Sequence, residues 1–346
     1  MDRNAFTFAD FDAEKRIEEI EHVLKEIDRI TDWNRIDKIV SVCDFRNSSH
    51  YGRDSFAPLT MFRIFLIQRM HGFSDRMMAS YLKRDLLFMS FCRLSFNTPV
   101  PDYSTICRWR DRFVKHGIFQ KVFDDFNAQL AAKGYNLNNA TIVDATLIKS
   151  AARPHTKVFT SSKEASASDT NNSETVITCE TSKDPDATWK KKGKTLVYGF
   201  QGFAATTFHG LIKHFHLTPA NVYEGSELPK IIESVSPSRG SRVYADKGYA
   251  SEANSLYLTE RGLGDRIMRK LTKKPELNEH ILMFNSCISS IRFPVERTFG
   301  TLKRMYGMHR SIYMGLEKTQ NWGLLTGLIY NMKKSLKLPQ DNCVQT

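Results

Sequence analysis

Six cysteines, Cys43, Cys92, Cys107, Cys179, Cys287 and Cys343, stand far apart in the chain, and no Cys-x-x-Cys occurs. That spacing excludes a disulfide-stapled scaffold and a structural zinc site, and it fits reduced thiols in a cytosol. No apolar leader opens the chain: MDRNAFTFADFDAEKR is acidic where a signal peptide would be greasy. Long hydrophobic runs are missing too. The most apolar windows, MFRIFLIQRM and DLLFMSFCRL, are broken by arginine and too short to span a bilayer. Neither a phosphate-loop lysine motif nor a dinucleotide fingerprint appears, so nothing indicates ATP or NAD. His209, His214 and His216 cluster, but strand alternation puts only the last two on one face. With no third ligand at zinc spacing, they read as pairing or surface histidines. The expectation is a soluble cytoplasmic protein with no membrane contact.

Acidic residues are outnumbered. The 346 residues hold 50 Lys and Arg against 38 Asp and Glu, a net charge of +12. Its distribution separates three stretches. Residues 1–44 carry 7 basic and 12 acidic side chains (net −5); residues 45–140 carry 14 and 7 (+7); residues 141–346 carry 29 and 19 (+10). The positive field therefore belongs to the body of the protein and favours a polyanionic partner. With 41% hydrophobic residues, the chain can build two cores.

Residues 1–44 read as an acidic helical segment. Ile17, Ile20, Leu24 and Ile27 recur at three- and four-residue steps, predicting an amphipathic helix over 11–31 that packs on its own domain, with a short coiled-coil seam as the alternative. Residues 45–135 read as an all-α, helix-turn-helix-like domain. LTMFRIFLIQRMH runs into Gly72, Ser74 can cap DRMMASYLKRDLLF, and Asp102 or Ser104 can cap YSTICRWRDRFVKHG. In that last helix Ile106, Trp109 and Phe113 form an apolar stripe. Arg108, Arg112 and Lys115 form a basic one, suited to phosphates in a DNA groove, with a solvated charged face as the rival reading.

Near Asn136 the pattern changes to β-branched strands, followed by alternating strands and helices, so a mixed α/β domain is expected over 136–338. A polar stretch at about 151–190 reads as a flexible insertion. Three carboxylates then stand out. Asp144 interrupts the apolar strand TIVDATLI, Asp246 closes the strand RVYAD, and Glu296 lies in IRFPVERTFGTLKR between Arg292 and Lys303. A charge in an apolar strand must be paired, metal-bound or at an accessible end. Carboxylates are hard ligands for Mg²⁺ or Mn²⁺. On a helix, Lys303 returns to the Glu296 face after seven residues. Pro294 predicts that this helix begins near Phe293 and that Arg292 approaches from its entry. Arg297, Arg304 and Arg310 add more positive charge than pairing with one glutamate needs.

VDATLI, YADKGY and the R-x3-E-x6-K block, in that order, resemble the catalytic blocks of DDE transposases of bacterial insertion sequences, most nearly the insertion-sequence-five family. DPDATWKKKGK with VYGF, LTPANVYEGSEL, FAPLTMFRIFLIQRMHGFSDRMMASYL and DYSTICRWRDRF are similar to further segments of that family, so the likeness spans about residues 45–335. The resemblance implies an RNase H-like catalytic domain with a mixed five-stranded sheet and flanking helices. It assigns Asp144, Asp246 and Glu296 to two Mg²⁺ or Mn²⁺ ions and sets Arg292 and Lys303 against DNA near the reacting phosphate. Arg297, Arg304 and Arg310 join Arg108, Arg112 and Lys115 as DNA-binding residues. The implied activity is metal-dependent cleavage at the element's ends and strand transfer into target DNA, performed by a homodimer on double-stranded DNA in the nucleoid-associated cytoplasm of a bacterium. A catalytically silent DNA-binding repressor and a nuclease that cuts without joining are the alternatives. Ser289 replaces the family's usual tyrosine, and Gln201 and Phe203 stand where relatives often carry lysine and histidine.

Overall fold

The computed structural model describes residues 12, 15–44, 55–95, 99–135, 137, 140–153, 158–162, 175–179, 183–273 and 275–338. The first helices are α1 (Val23–Ile30) and α2 (Trp33–Val40). The expected helix over 11–31 is interrupted at 19–22, where His22 turns out of helical geometry and its Nδ1 accepts the Leu24 N–H at 3.2 Å. Ile20 falls in this break and is exposed, while Ile17, Leu24 and Ile27 are buried within the same molecule. The segment thus packs on its own domain. The seam alternative does not apply to it.

Next, α3 (Pro58–His71) starts on a proline, which loses no helical hydrogen bond in the first turn, and stops at Gly72 in the left-handed conformation. Apolar residues surround its whole circumference, and the helix runs through the interior. The single helix expected after Ser74 is two: α4 (Asp75–Tyr81) and α5 (Leu86–Phe91). Asp85 breaks it, because its carboxylate accepts the Phe88 N–H and caps a new start. Asp102 caps α6 (Tyr103–Lys115) through the Thr105 N–H at 2.7 Å, and α7 (Ile118–Ala132) follows the left-handed Gly117.

The sheet is built from β1 (Ala140–Lys149), β4 (Thr188–Lys192), β5 (Thr195–Thr206), β6 (Ile212–Pro219), β7 (Arg242–Ala245) and β8 (Gly264–Ile267). Five strands lie in the order β6–β5–β1–β7–β8. β5 runs antiparallel to both of its neighbours, β6 and β1, whereas β7 and β8 run parallel to β1. The sixth strand, β4, pairs only with the first half of β5. It is one strand more than expected, and it lies partly within the stretch read as a flexible insertion. Its sequence TWKKK has no apolar alternation, and pairing on β5 rather than burial orders it. In the same stretch β2 (Val158–Ser162) and β3 (Thr175–Cys179) pair antiparallel and residues 151–153 and 183–187 form bends and turns; the remainder of the flexibility expectation falls on residues outside those described.

Four helices complete the domain: α8 (Glu224–Val235), α9 (Glu252–Glu260), α10 (Pro275–Tyr306) and α11 (Leu316–Ser335). The helix expected to begin near Phe293 instead runs unbroken through Pro294. An interior proline costs about 3 kcal/mol, but the buried Ile288, Val295, Phe299 and Leu302 anchor the helix on both sides of it.

One face of the sheet shares a continuous apolar core with α3, α6, α7, α10 and α11; the other packs Val143, Phe203 and Ala205 against Leu228, Ile231 and Ile232 of α8 and Leu258 of α9. Polar ties cross the first core. Arg69 of α3 donates to the Tyr306 carbonyl and to Thr326 Oγ1 (2.7 Å), and its guanidinium lies 4.5 Å from the Trp322 ring centre. Asn331 of α11 donates to Asn127 of α7 at 2.9 Å and to the Ile212 carbonyl at 2.7 Å. No described helix is long and apolar enough to cross a membrane, and the four cysteines with described side chains are free thiols.

Candidate active site

Strand register sets up the site. β1 and β7 run side by side with Val143 opposite Ala245, so the next residues, Asp144 and Asp246, stand abreast where β7 ends. Asp246 turns out of the strand, and its carboxylate accepts the Lys247 N–H at the start of a single 3-10 turn, Lys247–Tyr249. Over this pair lies α10. Its buried positions 288, 292, 295, 299, 302 and 306 step in a three–four rhythm filled by apolar side chains except at Arg292; the hydroxyl of Thr298, buried beside them, is hydrogen-bonded. A guanidinium therefore occupies a core position and must find anions there. It finds both aspartates: Arg292 reaches the Asp144 carboxylate at 3.2 Å and the Asp246 carboxylate at 3.8 Å.

Burial is the main cause that pushes the Asp144 carboxyl up to about 6; Arg292 opposes it, while the negative charges of Asp246 and Glu296 add to it. Glu296 sits one turn beyond Arg292, is exposed, and lies within electrostatic range of Asp144. Lys303 is two turns further and half-buried. Its amine is shifted down, first by burial and then by Lys192 of β4, while Asp144 pulls it back up. Asp144, Asp246, Glu296, Arg292 and Lys303 thus share one electrostatic neighbourhood. Among the described residues, however, no three His, Cys, Asp or Glu side chains close into a group able to hold a metal ion.

Other expected contacts lie elsewhere. Arg297 stacks 4.8 Å over Phe293 and bears on Tyr330 and Lys334 of α11, away from the aspartates. Arg310 donates to the Ser150 (3.2 Å) and Ala151 (2.9 Å) carbonyls, fastening the chain after α10 to the end of β1. Arg304 is exposed, with its Nε on the Gly300 carbonyl. Arg108 and Arg112 line a cleft of about 500 Å³ with Phe56, Val100 and Trp109, and Lys115 is exposed on the same helix. His214 and His216 bond to one another at 3.0 Å and His216 to Glu227 at 3.0 Å, a pairing arrangement. Ser289 is exposed on α10, and Phe203 is buried under the His216 ring.

Two features of the site escaped the sequence reading. Tyr249 is fully buried, its hydroxyl has no hydrogen-bond partner, and the charges of Asp144, Glu224, Arg292 and Asp246 all reach it. Beside it, Glu224 accepts from Gln201 (2.7 Å) and Lys190 (3.2 Å), while Lys190 also donates to Gln201 at 2.5 Å. Gly248 lies so close that a Cβ there would meet Glu224 at 2.9 Å. The tyrosine stood in the YADKGY block and could have been inferred; the Lys190–Gln201–Glu224 triangle joins three elements and left no local signal.

Comparison with known proteins shows the family. Residues 136–332 match the family model described as Transposase DDE domain, and residues 11–112 match one described as Transposase domain (DUF772). The chain belongs to the DDE transposases of bacterial insertion sequences. Such enzymes cleave and transfer DNA. A transposase for insertion sequence element IS1106 from Neisseria meningitidis serogroup B is 32% identical over 230 residues, covering 66% of this chain and 76% of that one. Among solved structures, a piggyBac transposase synaptic complex with hairpin DNA aligns over 94% of this chain and 84% of its own, at 12% identity and a TM-score of 0.43.

Proposed function

We propose that this transposase cuts at the ends of its own insertion sequence and joins the freed 3′-ends to target DNA at the site formed by Asp144, Asp246 and Glu296. The observation that carries this reading is the register that sets Asp144 and Asp246 abreast on parallel strands, with Glu296 close enough to perturb Asp144. The strand order β6–β5–β1–β7–β8, with its antiparallel first half and parallel second half, supports an RNase H-like domain over 136–338, and the Arg292–Glu296–Lys303 block with its three- and six-residue gaps supports membership of the insertion-sequence-five family. Residues 45–135 would hold double-stranded DNA through Arg108, Arg112 and Lys115, and a homodimer in the bacterial cytoplasm, on nucleoid DNA, would hold the two ends together.

The donor set suits hard divalent cations: it is all carboxylate oxygen, and burial, to which repulsion from Asp246 and Glu296 adds, penalises the Asp144 charge beyond what Arg292 offsets. Two such ions, Mg²⁺ or Mn²⁺, would supply activation of water or a 3′-hydroxyl and stabilisation of the leaving oxygen. Asp144 and Asp246 would hold them, with Glu296 completing the set from α10. Arg292 now neutralises both aspartates, and it would turn to the DNA phosphate when that charge is met otherwise. Lys303, partly desolvated and two turns along, would bind the same phosphate chain, and Arg304 the DNA beyond it. The placements of Arg297 and Arg310 support packing and fastening roles for them.

The test is a strand-transfer assay with Mg²⁺, the element's ends and a target plasmid. Joined products are expected from the native protein and none from Asp144→Asn, Asp246→Asn or Glu296→Gln, each still binding duplex within a few-fold. Nicks without joined products would mean a nuclease. Binding with neither would mean a repressor. Retained nicking by Asp246→Asn would remove that residue from the site.

A further inference from the structure

The hairpin formed by β4 and β5 is absorbed by none of the roles above, yet it leans on the active site. Lys192, the last residue of β4, is one of the charges that depress the Lys303 amine, and Lys303 in turn feels Asp144. Below the tip, Lys190 is tied to Gln201 and Glu224, and the Tyr198 hydroxyl donates to the Asp184 carbonyl at 2.6 Å, so the base of the hairpin is fixed. Its outer part is open: Lys191, Lys192, Lys194 and Leu196 are exposed, and Trp189 is 49% exposed. An indole held half in water on a strand with lysines beside it has the make-up of a single-strand stacking platform.

Register fixes which way it faces. Directly paired residues share a face of a sheet. Asp144 is paired with Ala204; two-residue steps back along β5 lead through Gly202 and Phe200 to Tyr198, which is paired with Trp189. Trp189 therefore stands on the face of Asp144, and the Tyr198 ring supports it from 5.3 Å. Six residues of β5 separate the two rows, about 20 Å at the rise of a strand, which is about six steps of a stacked nucleic-acid strand.

Resting on the transposase reading above, we propose that Trp189 is a stacking site for an unpaired nucleobase of the bound DNA, within about six nucleotides of the scissile phosphate. Lys191 and Lys194, both on the tip side of Trp189, hold the backbone leading away from it. The occupant is a base, because the described residues that make the platform, Trp189, Lys191, Lys192 and Lys194, offer an aromatic face and positive charge and carry no carboxylate to recognise a basic protein segment.

The test uses the full-length chain in EDTA, so that DNA cutting plays no part, and two mixed-sequence 30-base-pair duplexes, one fully paired and one with three mismatched pairs carrying 2-aminopurine. Trp189→Ala is expected to weaken binding to the mismatched duplex about ten-fold, in line with the loss of one base–aromatic stack, while affinity for the paired duplex stays within two-fold. Trp189→Phe should restore most of the difference, and the native protein should quench the 2-aminopurine where Trp189→Ala does not. Equal affinities for native and Trp189→Ala, or equal losses on both duplexes, would overturn the proposal, as would an unquenched 2-aminopurine with the native protein. A chain that stacks bases yet fails to join DNA ends would overturn the strand-transfer reading and leave this one standing. The reverse result would do the opposite.

Discussion

Replacing Arg292 by methionine isolates the charge at the centre of the site. Methionine suits the apolar rhythm of α10, so the packing between Ile288 and Val295 is kept while the guanidinium between Asp144 and Asp246 is lost. Breaking one side of a buried ion pair costs about 3 kcal/mol. For 346 residues, at about 2 cal/mol/K of unfolding entropy per residue, that lowers the melting midpoint by roughly 4 °C. The pH dependence is the sharper signature. Asp144 has its folded pKa raised to about 6, so stability rises as pH falls through 6 toward the unfolded carboxylate value. At pH 5 about nine-tenths of Asp144 is protonated in the native protein, and its pair with Arg292 has largely gone. Without Arg292 the carboxyl shifts higher still, and the variant recovers from a higher pH. Urea unfolding without divalent ions should therefore show a deficit of about 3 kcal/mol at pH 7.5 that shrinks to about 1 kcal/mol at pH 5. Asp144→Asn combined with Arg292→Met should regain most of it, since both charges are then absent. A variant as stable as the native protein at pH 7.5, or equally impaired at both pH values, would refute the reasoning.

Other perturbations probe the frame. Burial lowers His214 to about 4, so its contribution is complete above about pH 6.5 and lost as pH falls toward 4. It amounts to about 3 kcal/mol, and His214→Gln should flatten that limb of a stability–pH curve. Gly199 has φ +157°, and a Cβ there would lie 2.1 Å from the Ile148 carbonyl oxygen. Gly199→Ala should part β1 from β5 and lower stability by more than about 3 kcal/mol in urea titration. Arg69→Ala removes donors to the Tyr306 carbonyl and Thr326 Oγ1, and a loss of about 3 kcal/mol is expected by calorimetry. Arg108→Ala with Arg112→Ala should weaken binding to all duplexes alike and reduce the slope of log K against log salt by about 2. An unchanged slope would take α6 off the DNA.

Residues that act through local rules were readable. Asp102 and Gly72 begin or end helices through contacts within a few positions, and Asp144 and Asp246 were visible because the first interrupts an apolar strand and the second closes one. What failed depended on distant partners or on competing short-range ones. Pro294 signalled a helix start, and the buried contacts of Ile288 and Val295 override it. Asp85 was read as part of a helix, and its carboxylate caps a new one. β4 is charged along most of its length and is ordered only by pairing with β5. At Arg292 the spacing of Ile288, Val295 and Phe299 would have disclosed a buried guanidinium, whereas the Lys190–Gln201–Glu224 triangle requires the register of three elements. Charge counts named a polyanionic partner but could not separate Arg310, which fastens the chain after α10, from a cation free to meet DNA.

The unbroken apolar core that runs from α3, α6 and α7 into α10 and α11 leaves little slack between α6 and the carboxylates. The protein should then behave as a ruler. Under the proposed reading, in which α6 grips the double helix, the scissile bond lies at a set interval from it, and substitutions that loosen the core between them should blur where the cut falls rather than merely slow it.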